Sequence, residues 1–133
     1  MTNKSKKILS EISMGELLDK ISILEIKIEK IKDKISQKEV NKEYEILKKV
    51  QNSSLELTEK MKTLFSEIKK VNLNLWNIED KLRICEKNED FGQNFIKLAR
   101  GVYINNDKRS KIKSKINEVL GSNNKEIKQY VDY

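Results

Sequence analysis

The sequence predicts an all-α protein, an elongated antiparallel helical bundle or coiled coil of three to four helices. Three observations predict it. Proline is absent and only four of 133 residues are glycine, so little interrupts a helix. Charged and apolar residues each make up 37%, a balance that suits long solvated helices around a narrow core better than a β-sandwich or doubly wound sheet. Apolar residues also recur at helical spacing along most of the chain. The length fits one domain, which we place at residues 13–121, between an extended arm over 1–12 and a loosely ordered tail over 122–133.

Residues 1–12 lack helical periodicity, and Ile8, Leu9 and Ile12 are expected to tuck onto the bundle. Ser13-Met14-Gly15-Glu16 then matches a capping box, in which the Ser13 hydroxyl accepts from the Glu16 amide. From there Met14, Ile21, Ile28 and Ile35 recur every seven residues, with Leu17, Leu24 and Ile31 at the second apolar position of each heptad. This seam predicts a helix to about Ile35 and a homo-oligomer formed through it, although an intramolecular helix would satisfy the same pattern. Ile23 and Ile26 lie off the seam, so the helix should meet neighbours on more than one side.

The first turn is expected at residues 36–40 and a second helical segment at 41–50. Asn52, Ser53 and Ser54 compete for backbone hydrogen bonds and mark a break or kink. A third helix should run over 55–88, with Leu57, Leu64, Ile68, Val71, Leu75, Ile78 and Leu82 along one side. Residues 88–92 read as a tight connection. A last helix over 91–120 turns Phe91, Phe95, Leu98, Ala99, Val102, Ile112, Ile116 and Val119 inward, and Gly121 stands where a left-handed cap is wanted. The polar tail offers Tyr130 and Tyr133 as anchors.

Composition excludes several chemistries. Histidine is absent and Cys85 is the single cysteine, which removes Ser-His and Cys-His nucleophile pairs, the commonest zinc ligand and any intramolecular disulfide. No metal site and no cofactor is expected. No apolar run approaches the roughly 18 residues of a membrane span, and the Lys-rich start (Lys4, Lys6, Lys7) has no long apolar region behind it. A cytoplasmic protein is expected. The net charge of +7 raises nucleic acid as a partner, with Lys97, Arg100, Lys108, Lys111 and Lys115 on one arc of the last helix. Yet Lys, Ile and Asn supply 55 of the residues, the bias of an AT-rich genome, and no aromatic side chain interleaves the arc to stack on bases. Nucleic acid is therefore disfavoured.

One polar cluster stands out. Asn72, Trp76, Glu79, Asp80, Arg83 and Glu86 share a stripe bordering the apolar face of the third helix. An antiparallel return at 88–92 pairs residues whose numbers sum to about 179, which sets Glu79 level with Arg100, Trp76 with Tyr103, and Asn72 with Asn106 and Asp107. Arg83, Arg100 and Arg109, the only arginines beside 25 lysines, all fall on this helix pair, where guanidinium forks can grip carboxylate or phosphate. Asn72, Trp76, Glu79, Asp80, Arg83, Arg100, Tyr103, Asn106, Asp107 and Arg109 are thus the candidate ligand-binding residues. An internal network of these groups is the competing reading.

The motif Asn72-x-x-Leu75-Trp76-x-x-Glu79-Asp80-x-x-Arg83, followed by Leu98-Ala99-Arg100-x-Val102-Tyr103-x-x-Asn106-Asp107-x-Arg109, resembles a family of small, helical, functionally uncharacterised bacterial proteins. Gly15-Glu16-Leu17-Leu18-Asp19-Lys20-Ile21 resembles the opening of the same family. The resemblance spans about residues 12–120 and implies an accessory role near surface-polysaccharide glycosyltransferases, with no catalytic residues to carry over. Function reads as unknown: a non-enzymatic, oligomeric interaction or accessory module, with a possible protein partner. The alternative is small-anion or nucleotide-sugar binding at the Arg/Glu/Asp cluster. Magnesium-dependent nucleotide hydrolysis would need Glu16, Asp19, Glu79 and Asp80 to converge, and the Glu-Glu-x-x-Glu and Glu-x-x-Asp pattern of all-helical hydrolases is incomplete.

Overall fold

A computed structural model describes residues 6–121 and 131–133. The first five residues of the expected arm, and tail residues 122–130 with Tyr130, lie outside the described residues. The described residues form four helices, α1 (Met14–Lys30), α2 (Lys34–Ser54), α3 (Glu59–Lys87) and α4 (Gln93–Leu120), and no strand occurs among them. No helix among them is long and apolar enough to cross a membrane.

Local signals set the helix ends. The Ser13 hydroxyl accepts from the Glu16 amide at 3.1 Å, opening α1 as the capping box requires. α1 stops at Lys30, short of Ile35, because a second cap intervenes. Asp33 accepts from the Ser36 amide at 2.9 Å and its hydroxyl at 2.7 Å, starting α2, while the Gln37 side-chain amide donates to the Ile31 carbonyl at 2.7 Å. The first turn is therefore 31–33 rather than 36–40. Asp33 is held below the ordinary carboxylate range, first by the Ser36 hydroxyl and then by its amide. α2 remains helical through Asn52 and Ser53 to Ser54, so the break falls at 55–58. Thr58 then caps α3 by accepting from the Met61 amide at 3.3 Å, and Leu57 belongs to the connection instead of the α3 face. α4 begins two residues after Phe91, and Gly121 ends it with φ +64, as expected.

The α3–α4 register follows the expected sum. The Asn94 side-chain amide lies 3.9 Å from the Cys85 sulfur, and a Cβ built on Gly101 would stand 3.0 Å from the Ile78 side chain; both pairs sum to 179. Across this hairpin lies α1. Gly15 bonds to Asn117, and Glu16 and Asp19 face Lys113. On α3, Asp19 and Ser22 face Asn72, while Glu25 and Glu29 face Lys69. Partner numbers fall along α1 on both members of an antiparallel pair, which a helix achieves only by crossing them at a slant. α2 lies against α1.

The core forms at this crossing from Leu17, Leu18, Ile21, Met61, Leu64, Ile68 and Ile116, with Tyr44, Leu47, Phe65 and Ile112 packed around it. The heptad seam is largely consumed here. Leu17, Ile21 and Leu24 are buried within the chain, with Met14 half-buried against the core and Ile28 and Ile31 half-buried. Ile35 belongs to α2 and is 78% exposed. The pattern that suggested a second copy is met by α2, α3 and α4 of the same chain. Ile26, off the seam, is also buried, as expected of a helix with several neighbours. Ile8 and Leu9 do not tuck in, being 90% and 91% exposed.

Candidate functional site

Where α1 crosses the hairpin, polar groups occupy positions that a simple bundle would give to Leu or Ile. The Asn72 side-chain amide donates to Asp19 Oδ1 and to Ser22 Oγ, both at 2.8 Å. The Ser22 hydroxyl donates to the Asp19 carbonyl at 2.7 Å. Asn72 Oδ1 in turn accepts from the Arg109 guanidinium at 3.4 Å. One turn along α4, Lys113 Nζ sits 2.7 Å from Glu16 Oε2 and 3.9 Å from Asp19 Oδ2, with the Lys113 and Asp19 side chains each 8% exposed. A further turn on, Asn117 Oδ1 accepts from the buried Gly15 amide at 2.7 Å. Arg109, Lys113 and Asn117 are spaced by four residues and so stand on one face of α4.

Gly15 makes this geometry possible. A Cβ there would stand 2.6 Å from the Lys113 carbonyl oxygen and 2.9 Å from Asn117 Oδ1, so only glycine lets the α1 and α4 backbones approach this closely. Two carboxylates and two cations give the cluster no net charge. No buried side-chain nitrogen or oxygen among the described residues lacks a hydrogen-bond partner. Buried polar groups cost most when left unpaired, and these are paired within the protein. No group of three or more Asp, Glu or Cys among the described residues is arranged to hold a metal.

The sequence-predicted cluster is gathered only in part. Asn72 and Arg109 meet, as described. Arg83 is exposed, 3.9 Å from Glu79 one turn back, and Arg100 and Asp80 are also exposed. Trp76 and Asn106 are half-buried. Tyr103 packs edge-on against Tyr133 at a centroid distance of 5.4 Å, and the Tyr133 hydroxyl donates to Asp107 at 2.6 Å, which raises the Tyr133 pKa. The three arginines therefore share no common site. Sequence reasoning missed Ser22, Lys113 and Asn117, gave Gly15 no role beyond its place in the capping box, and read Glu16 only as a cap or metal ligand and Asp19 only as a metal ligand. A usable signal was present: Asp19 and Ser22 interrupt the apolar run of α1, and Lys113 and Asn117 sit beside Ile112 and Ile116.

A second feature lies toward the α3–α4 connection. A groove of about 750 Å³ is lined by Glu79, Leu82, Arg83, Glu86 and Lys87 from α3 and by Phe95, Ala99 and Val102 from α4. It continues the seat of α1. At 100° per residue, Val102, Phe95 and Ala99 fall within an arc of about 60° that also holds Lys113 and Asn117. α1 fills the seat at one end of the hairpin, and at the other end the seat is open.

A family model described as "Family of unknown function (DUF6165)" matches residues 8–132. The chain belongs to this family. Membership of DUF6165 brings no activity with it. No curated protein matches the chain, and no solved structure does. The polar network and the open groove of this DUF6165 protein both lie within the matched span.

Proposed function

We propose that the protein is a non-enzymatic interaction module, cytoplasmic and accessory to other proteins, in which α1 and the polar network brace an antiparallel α3–α4 hairpin whose distal face receives another polypeptide. One observation carries the reading. Every buried side-chain nitrogen and oxygen among the described residues has a hydrogen-bond partner, whereas the apolar side chains of the distal hairpin do not bury one another. Leu75, Ile78, Leu82, Phe95, Leu98 and Val102 are all half-buried, Phe91 and Ile96 exposed. Catalytic sites and anion sites keep unsatisfied polar groups poised for substrate; interaction surfaces keep apolar groups poised for a partner.

The alternative, recognition of a small anion or nucleotide sugar, would require Arg83, Arg100 and Arg109 to converge. A thermal melt with phosphate, magnesium with nucleotides, and nucleotide sugars discriminates between the two. The interaction module predicts no shift with any of them. A rise of several degrees with one compound, proportional to the logarithm of its concentration, would replace this reading with ligand binding.

A further inference from the structure

We infer that the open groove receives a second copy of this chain, two distal hairpins overlapping head to tail as a short four-helix bundle. The inference rests on the interaction-module reading and names its partner. A two-helix hairpin can bury only one stripe of each helix, and the side chains on the groove face remain part-exposed until two more helices cover them. Over residues 73–104 of the hairpin, Cys85 alone is buried. The same face nearer Asn72 is covered by α1, which buries Leu64, Ile68 and Ile116 completely. The groove is thus a helix seat of demonstrated kind with its distal part unfilled.

Charge selects the occupant. Residues 73–104 carry five acidic and five basic side chains, so the whole net charge of +7 resides in the rest of the chain. Two such chains repel through their bodies and not through their hairpin ends. A contact at the ends with the bodies pointing apart keeps the repelling parts at greatest separation. Steric arrangement demands the same orientation, because α1 stands on the groove face and would block two hairpins laid side by side with their connections together. Head to tail, the connection of each hairpin reaches toward α1 of the other.

In that orientation α3 meets α3 antiparallel. With the two-fold axis beside Lys81, Glu79 of each copy stands against Arg83 of the other, so this pair complements itself, and Glu86 comes level with Trp76. By the sum of 179, α4 crosses the axis at Leu98 and Ala99, where the small Ala99 side chain in the groove lets the two α4 helices approach. The overlap runs from about Leu75 to Lys87, ~18 Å at 1.5 Å per residue. It buries on the order of 1,000 Å² in total, the lower limit for a specific contact. The dimer should accordingly be weak and reversible.

Sedimentation equilibrium on the full chain over roughly 1–300 µM tests this. The wild type should pass from monomer to dimer within that range. Ala99→Glu should weaken association at least tenfold, and so should Glu79→Arg, which sets like charges together; Glu79→Arg combined with Arg83→Glu should restore it. Circular dichroism melts identify any variant that fails to fold, and the restored double variant makes the result independent of such losses. A monomer at every concentration would overturn the inference, as would a dimer indifferent to both single substitutions. Neither outcome touches the ligand-screen test of the interaction module, which would then have a different polypeptide as partner.

Discussion

Gly15→Ala separates two opposed physical effects at one position. By helix propensity, alanine in place of a helical glycine stabilises by up to about 1 kcal/mol, less near a helix end. By packing, the new Cβ would lie 2.6 Å from the Lys113 carbonyl oxygen and 2.9 Å from Asn117 Oδ1. The first of these is backbone in the middle of α4, so α1 must move outward. Overpacking of this kind costs about 1–3 kcal/mol. The displacement also stretches the buried bond from the Gly15 amide to Asn117, worth about 1 kcal/mol and more if either group is left unpaired. The net expectation is a loss of about 2 kcal/mol, a fall in Tm on the order of 5–10 °C for a chain of this size. Urea and thermal unfolding followed by circular dichroism would measure it. A variant as stable as the wild type, or more so, would show that propensity wins and that α1 and α4 do not approach as described.

Other expectations follow from the same geometry. Lys113→Met leaves Asp19 buried beside Glu16 without its cation and should cost about 2–4 kcal/mol; replacing Asp19 by Leu in the same chain should recover part of that loss, and urea midpoints would show whether it does. Ile68→Ala, in the enclosed core, should cost about 3 kcal/mol, whereas Leu82→Ala in the open groove should cost about 1 kcal/mol in dilute solution. Lys69 is raised above its ordinary value of 10.5, chiefly by its hydrogen bond to Glu25, and Tyr44 above 10.0, chiefly by burial and then by the Glu25 charge. Both contributions are complete below those ordinary values and vanish as pH rises through the raised ones. The stability gap between wild type and Lys69→Met/Tyr44→Phe should therefore be constant to about pH 10 and close above it, as read from urea midpoints across pH.

Signals confined to one helix or one turn were legible in the sequence. Ser13 with Glu16 marked the start of α1, Gly121 marked the end of α4, and the short connection after Lys87 fixed the α3–α4 register closely enough to set Ile78 beside Gly101. The turn at 31–33 escaped because isoleucine spacing continues through Ile28, Ile31 and Ile35 as though one helix carried it. The short cap from Asp33 to Ser36 outweighs that spacing. The polar network was half legible. Asn72 and Arg109 come from the two helices whose register was known, while Asp19 and Ser22 come from a helix whose seat on the hairpin no local pattern reveals. For the same reason the heptad seam pointed to another copy, although Leu17 and Ile21 are buried within the chain against the hairpin and α2. Arg83 and Arg100 drew attention by their scarcity, but they lie past the part of the hairpin that α1 covers, where nothing in the chain turns them toward Arg109.

One end of the α3–α4 hairpin is closed by α1, and the other end is open. Hydrogen–deuterium exchange read by mass spectrometry, at low and high protein concentration, tests it most directly. Peptides covering Gly15–Ser22 and Ile68–Asn72 should be strongly protected at both concentrations, and peptides within Trp76–Val102 should exchange readily when dilute and gain protection when concentrated. Equal protection along the whole of α3 in dilute solution, or ready exchange at Gly15–Ser22, would contradict the account.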